Sequence, residues 1–350
     1  MKTVNRLAFA STLALLVAGA SQLALARDGA EIEGPERAAA EAAPNPTPRL
    51  PRDLIEAASA YETFVEHAGA INARFADGEA IRTAMTTAES WQPDQMGRGE
   101  VAYAALIALQ DPRFVQGVLR AGRSPANAET LVRALEADPR QVAAVEGADE
   151  AALHINTTLG EQAERVAETG RRVKQSAYDI QHQAWSRQTV PDGRARLARA
   201  KELATISFSP SPDDVSHLFQ IAAAPHDYAG APTATPPGYT AVVQRGLTLA
   251  ALAVLGRADR QELENVGLVK VRASADCMTM AKLNLYQCLA VAGPHYEDIF
   301  CLGEHALKET GQCLREGAGA QTATLASPIP ARSGGDSYTV PVAYASADPR

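Results

Sequence analysis

Residues 277–313 read CMTMAKLNLYQCLAVAGPHYEDIFCLGEHALKETGQC and contain all four cysteines of the 350-residue chain. Gly293 and Pro294 interrupt this stretch near its middle, and a Gly-Pro pair is typical of a break between two helices. The flanking arms, about 274–292 and 296–314, are predicted to be helical. Because the cysteines lie at matching distances on either side of the turn, the stretch predicts an antiparallel helical hairpin with two facing pairs of cysteines.

Four cysteines allow three disulfide pairings, and the helical register selects one of them. Sequential pairing would join cysteines about 16 to 18 Å apart along one helix, which is beyond disulfide reach. Crossed pairing would require two different registers of the same two helices. Nested pairing keeps one register, so we predict the disulfides Cys277–Cys313 and Cys288–Cys301, each contributing roughly 3 kcal/mol by restricting the unfolded chain.

Helical patterns also dominate the chain before the hairpin, which predicts an all-α fold: a multi-helix array with one long heptad-patterned helix and the stapled hairpin at its carboxyl end. The predicted organisation is a signal peptide (1–26), a disordered tether (27–50), an N-terminal helical region (51–146), a long helix with its return helix (147–210), a C-terminal helical region with the hairpin (211–315), and a disordered tail (316–350).

The amino terminus is typical of an export signal. Lys2 and Arg6 precede an apolar stretch, and Ala24-Leu25-Ala26 forms a small-residue cleavage site. Export, to the periplasm or outside the cell, would allow the cysteines to oxidise. The formal charge is −8, and removal of the leader with its two cations makes it −10. This acidic balance argues against nucleic acid as a partner, and no segment of the mature chain is long and apolar enough to span a membrane.

The long helix is predicted over about 150–187 and carries two stripes at heptad spacing. The two stripes consist of Leu159, Val166, Val173 and Ile180, and of Ala163, Gly170, Ala177 and Ala184. Small residues allow a partner helix to approach closely, so we expect a bulkier stripe to face them. Our prediction for that stripe is the Phe64 and Ile71 face of a helix over 53–75. The alternative is a homodimeric coiled coil through 150–187, although the flanking positions lack the complementary charges typical of dimers.

The hairpin also places polar side chains together. Asn284 and His305 lie at facing positions between the two disulfides, and we predict that they form a structural pair through a mutual hydrogen bond. Tyr296, Glu297 and Asp298 follow the turn and are predicted to form an exposed docking knob for a protein partner. A metal site at this turn is the alternative, with His295, Asp298 and His305 as its ligands. Cysteines in disulfides cannot serve as thiolate ligands, so the prediction is no metal and no cofactor.

One short motif suggests an enzyme. Glu89-Ser90-Trp91-Gln92-Pro93 resembles the helix-ending Glu-Ser of lytic transglycosylases, in which a protonated glutamic acid donates to a glycosidic oxygen. The resemblance implies Glu89 as the catalytic acid of a cell-wall glycan hydrolase. This chain departs from the family's pattern downstream, where Gly97-Arg98-Gly99-Glu100 enters an Ala-rich helix, and otherwise Glu89 is expected to be a surface residue.

These features predict an exported helical protein that is non-enzymatic and binds another envelope protein through its long helix or its hairpin turn. Cell-wall glycan hydrolysis through Glu89 is the first alternative. A helical bundle that binds a metal or a small ligand is the second.

Overall fold

A computed structural model describes residues 50–223, 238–259, 263–264 and 267–319. All regular elements among them are helices, and one isolated β-bridge joins Thr189 to Pro294. The predicted all-α class is therefore confirmed. The predicted leader, the tether up to residue 49 and the tail from residue 320 lie outside the described residues. In the described part of the chain, no helix is both long and apolar enough to cross a membrane.

Nine α-helices and one 3-10 helix precede the hairpin in the described residues. They are α1 (Arg52–Gly69), α2 (Gly78–Glu89), α3 (Pro93–Leu109), α4 (Pro112–Ala121), α5 (Pro125–Ala137), the 3-10 helix (Pro139–Ala144), α6 (Ala148–Ile180), α7 (Gly193–Leu203), α8 (Pro212–Ala223) and α9 (Ala241–Val254).

The hairpin has the predicted arms. Its first arm is α10 (Arg272–Val291). Its second arm is continuous but changes its winding, from α11 (His295–Cys301) through a π-helix (Leu302–Glu309) to α12 (Thr310–Ala318). The disulfides join Cys277 to Cys313 and Cys288 to Cys301, with a Cα–Cα distance of 5.7 Å in both. Nested pairing is therefore confirmed, and the second arm extends three residues into the predicted tail.

Local chemistry explains most helix boundaries. The side chains of Asp77, Asp111 and Ser124 accept hydrogen bonds from the first turns of α2, α4 and α5, as N-cap residues do. Helix α1 is shorter than the predicted 53–75 and ends at Gly69. After it, the Asn72 side chain accepts a 2.9 Å hydrogen bond from the Arg74 amide, a local bond that competes with helix continuation.

Helix α3 lies at the centre of the core. It packs against α1, α6, α9 and α10, and most of its side chains from Val101 to Ala108 have almost no exposure to solvent. Close approach depends on glycine: a Cβ at Gly99 would collide with the Ala57 backbone of α1, and one at Gly246 of α9 would collide with Ala104. The Ala-rich composition therefore forms a core of closely spaced helices.

The partner of the long helix differs from the prediction. The small stripe of α6 faces the second hairpin arm, where Gly170 lies against the backbones of Gly303 and Lys308, and Gly311 lies against Ala163 and Ala167. Glycines thus occur on both sides of this interface, and the expected pairing of a small stripe with a bulky one is wrong. Helix α1 contacts α6 through its end, where the Thr169 hydroxyl donates a 2.9 Å hydrogen bond to the Gly69 carbonyl.

The apolar stripe of α6 is covered within the same chain. Leu159, Val166 and Val173 have no measurable exposure, and the helix ends at Ile180 instead of continuing to residue 187. A dimer formed along this stripe would first have to displace the hairpin arm.

Candidate functional site

The hairpin turn is held along one side by the segment that follows α6. The backbone amides of His295 and Tyr296 donate to the carbonyls of Gln188 and Ser186, and Val190 donates to Gly293. The segment after α6 therefore covers the turn. The exposure predicted for Tyr296, Glu297 and Asp298 is wrong for Asp298, which is buried. Tyr296 and Glu297 are half-buried, and the Glu297 carboxylate accepts hydrogen bonds from the Gly293 amide and from the Tyr296 hydroxyl.

Asn284 and His305 meet at the expected place, but a third residue joins them. The Asn284 amide donates to Oε2 of Glu309 at 2.9 Å, and Nδ1 of His305 lies 2.9 Å from Oε1 of the same carboxylate. The predicted mutual hydrogen bond is thus replaced by a bridge through Glu309. Glu309 lies one turn after His305, and this helical spacing is the signal by which it could have been found.

The metal alternative at the turn is not supported by the geometry. His295, Asp298 and His305 do not converge, because Asp298 pairs with Arg196 at 2.5 Å and His305 pairs with Glu309. Among the described residues, the one convergent set of three ligand-type side chains lies elsewhere in the molecule.

Glu89 is buried instead of lying on the surface as expected. Its Oε2 lies 3.2 Å from Nζ of Lys282, which is also buried and which donates to the Glu89 carbonyl at 3.1 Å. The Lys282 ammonium lies 3.8 Å from the centre of the Trp91 ring. Burial raises the pKa of Glu89 and lowers that of Lys282, while their mutual attraction opposes both shifts. Lys282 was not identified from the sequence because 193 residues separate it from Glu89.

A cleft of about 440 Å³ lies beside the covered turn. Its walls are one face of α2, the loop 190–192 with one face of α7, and the start of α11. The apolar part of the wall includes Ile81, Met85 and Leu203, each less than 10% exposed. This volume falls within the usual range of small-molecule sites, about 300–1,000 Å³.

Arg196 forms the floor of the cleft on the hairpin side. Its guanidinium donates to Asp298 and to the carbonyls of Leu289 and Ala292 at 2.5, 2.5 and 3.0 Å. It therefore satisfies carbonyl groups at the end of α10 that the helix leaves unpaired. Burial raises the pKa of Asp298 to about 6, although the adjacent Arg196 opposes this rise.

His295 supplies an aromatic part of the wall. Burial and the charge of Arg196 both lower its pKa, so the ring is mainly uncharged at neutral pH. It packs near the Trp185 ring, with 6.1 Å between centroids. A Cβ at residue 78 would lie 2.5 Å from Cε1 of His295, so glycine at this position allows the ring to reach the wall.

The other charged residues of the cleft have different partners. Arg82 pairs with Glu79 at the rim. The Asp192 carboxylate accepts a hydrogen bond from the Ala195 amide as the N-cap of α7. Arg199 lies one turn after Arg196 on the same face of α7 and has no carboxylate partner among the described residues. The sequence did not reveal this group, because an arginine in a charged helix is usually a solvated side chain.

Comparison with protein-family models, with curated proteins and with solved structures finds no significant match to this chain.

Proposed function

We propose that the protein is an exported, non-enzymatic binding protein whose cleft takes a small organic anion. The anionic group of the ligand, a carboxylate, phosphate or sulfonate, pairs with Arg199. Its apolar body lies on Ile81, Met85 and Leu203. The export part is supported by the amino-terminal leader, and by the two disulfides, which indicate an oxidising environment.

The proposal rests on a difference between the arginines of the cleft: some have a carboxylate partner among the described residues and one does not. Two of its arginines are already paired with carboxylates of the cleft itself. Arg199 is exposed to solvent and lies beside the apolar wall, where it can form a charge-assisted hydrogen bond to an anion. A cleft of this kind selects ligands that carry both a negative group and an apolar body.

A binding role was also expected from the sequence, but the binding surface proposed here is the cleft instead of the long helix or the hairpin turn. The apolar stripe of the long helix is buried by other parts of the same chain, and the hairpin turn is hydrogen-bonded along one side to residues 186–190. We also favour the cleft over glycan hydrolysis, because the Glu89 carboxyl is in contact with Lys282 inside the core and does not line the cleft.

Two fluorescent probes test the proposal. The first, 8-anilinonaphthalene-1-sulfonate, carries an apolar body and a sulfonate. The second, N-phenyl-1-naphthylamine, has a closely similar apolar body without the charge. Titrations of the untagged protein at pH 7 with each probe are expected to give saturable binding. Arg199→Gln should weaken binding of the sulfonate at least tenfold and leave the affinity for the uncharged probe nearly unchanged.

Arg194 provides the matched control, because it lies on the same helix and does not line the cleft. Arg194→Gln should bind both probes as the wild type does. Equal affinity of wild type and Arg199→Gln for the sulfonate would refute the proposal, as would equal losses in the two arginine variants.

A further inference from the structure

A second cluster of chemical groups lies between α1 and α8, and it shares no residue with the cleft. Glu62 and Glu66 are one turn apart on α1, and His217 reaches them from α8. Nε2 of His217 lies 3.7 Å from Oε1 of Glu62 and 3.5 Å from Oε2 of Glu66. All three potential ligand atoms lie within 4.8 Å of one another.

These separations are close to those of a metal site. Zinc binds imidazole nitrogen and carboxylate oxygen at about 2.0–2.2 Å, so adjacent ligand atoms in a tetrahedral site are about 3.3 Å apart. The two distances to His217 exceed this value by a few tenths of an ångström. The Glu66 and His217 side chains are half exposed, which leaves them room to rotate toward this geometry.

The charge balance of the cluster also points to a cation. The Glu62 carboxylate is buried, with a side chain only 5% exposed, and no hydrogen bond to it is present among the described residues. Its neighbours include the like charges of Glu66 and Asp214, and His217 is charged only when protonated. A buried carboxylate in such surroundings is stabilised by a bound cation.

We propose that Glu62, Glu66 and His217 bind one divalent transition-metal ion, for which zinc is the best match. Two carboxylates and one imidazole suit zinc better than calcium or magnesium, which prefer sites built of oxygen alone. Three protein ligands leave a fourth position for water. Because the ligands come from two helices, metal binding also fastens α8 to α1 and stabilises the fold.

The test is a calorimetric titration of zinc chloride into the untagged protein after treatment with EDTA and dialysis. We expect one equivalent of zinc to bind and the melting temperature to rise. His217→Gln and Glu66→Gln should each weaken binding at least tenfold and abolish most of the rise in melting temperature. Both side chains are about half exposed, so these variants are expected to fold. Glu62→Gln should weaken binding as well.

Cobalt(II) gives a second readout, because four-coordinate cobalt absorbs visible light much more strongly than the octahedral aqua ion. His67→Gln is the matched control: His67 follows Glu66 directly and does not belong to the cluster, so this variant should bind zinc as the wild type does. The absence of saturable zinc binding would overturn the proposal. So would wild-type affinity in His217→Gln, or an equal loss in His67→Gln.

Discussion

The hydroxyl of Ser274 donates a 2.7 Å hydrogen bond to Oε2 of Glu100, and both residues are buried. The other carboxylate oxygen of Glu100 has no hydrogen-bond partner among the described residues. Burial raises the pKa of Glu100 to about 8, and the bond from Ser274 opposes this rise. The centre of the helical array therefore contains a carboxyl group that keeps its proton at neutral pH.

This proton makes stability depend on pH. Between pH 4.5 and 8 the unfolded chain releases the Glu100 proton and the folded chain retains it, so the free energy of unfolding falls as pH rises through this window. Glu100→Gln removes this contribution. Urea denaturation at pH 5 and pH 8 should show a loss for the wild type that exceeds the loss for the variant by on the order of 3 kcal/mol. Equal losses in the two proteins would contradict the prediction.

The buried pair of Lys282 and Glu89 should behave differently from ion pairs at the surface. Lys282→Met leaves the Glu89 carboxylate buried without its partner, and we expect a loss of about 3–5 kcal/mol. The double variant Lys282→Met, Glu89→Leu should lose less, because no charge remains buried. Arg113→Met breaks the exposed pair with Glu150 and should cost less than about 1 kcal/mol. Urea denaturation of the wild type, Lys282→Met, Glu89→Leu, the double variant and Arg113→Met measures these values. A loss in the double variant equal to the sum of the losses in Lys282→Met and Glu89→Leu would exclude the coupling.

The glycine contact between α6 and the hairpin should not tolerate a methyl group. Gly170→Ala would place a Cβ against the Lys308 and Gly303 backbones, which cannot rotate away as a side chain can, and we expect a loss of about 1–3 kcal/mol. Gly97 in α3 is the control, because a Cβ there meets nothing within 4 Å. Gly97→Ala should be neutral or stabilise by about 0.5–1 kcal/mol through helix propensity. Thermal unfolding of both variants tests the contrast, and similar melting temperatures would contradict it.

Removal of either disulfide should destabilise the protein, with the larger effect for the outer bond. Cys277→Ser with Cys313→Ser opens a loop of 36 residues, whereas Cys288→Ser with Cys301→Ser opens one of 13. The expected loss is about 3 kcal/mol for the inner bond and about 4 kcal/mol for the outer bond, because a longer loop restricts the unfolded chain more strongly. Urea denaturation under non-reducing conditions gives both values. Unchanged stability in either double variant would show that the corresponding bond does not restrict the unfolded chain.

The sequence was sufficient to predict the parts of the fold that local geometry determines. Cysteine register predicted the nested disulfides, and prolines preceded by Asp or Ser marked the starts of α4 and α5. It was not sufficient to identify the partner of α6. Small residues permit close packing without specifying a neighbour, and Gly303 and Gly311 carry no periodic apolar signal of their own.

The candidate sites were hidden for a related reason. Arg196 and Asp298 lie 102 residues apart, and His217 lies about 150 residues after Glu62, so no local pattern connects either pair. The i, i+4 spacing of Glu62 and Glu66 on a predicted helix was the one readable sign of the second cluster. The resemblance of Glu89-Ser90 to lytic transglycosylases depended on a few adjacent residues, and a short motif does not show whether its glutamate is buried.

The arm that covers α6 begins at His295, 115 residues after α6 ends at Ile180. A chain that emerges from its amino end, whether from the ribosome or through a translocation channel, therefore exposes the Ala163 and Gly170 side of that helix until nearly all of the protein has appeared. The contact between α6 and the second arm can form only after the hairpin has been synthesised, and an oxidant must then form the two disulfides between its arms. Loss of the second hairpin arm (295–318) together with the residues after it would then leave the longest helix uncovered, and the truncated product would be prone to aggregation and proteolysis.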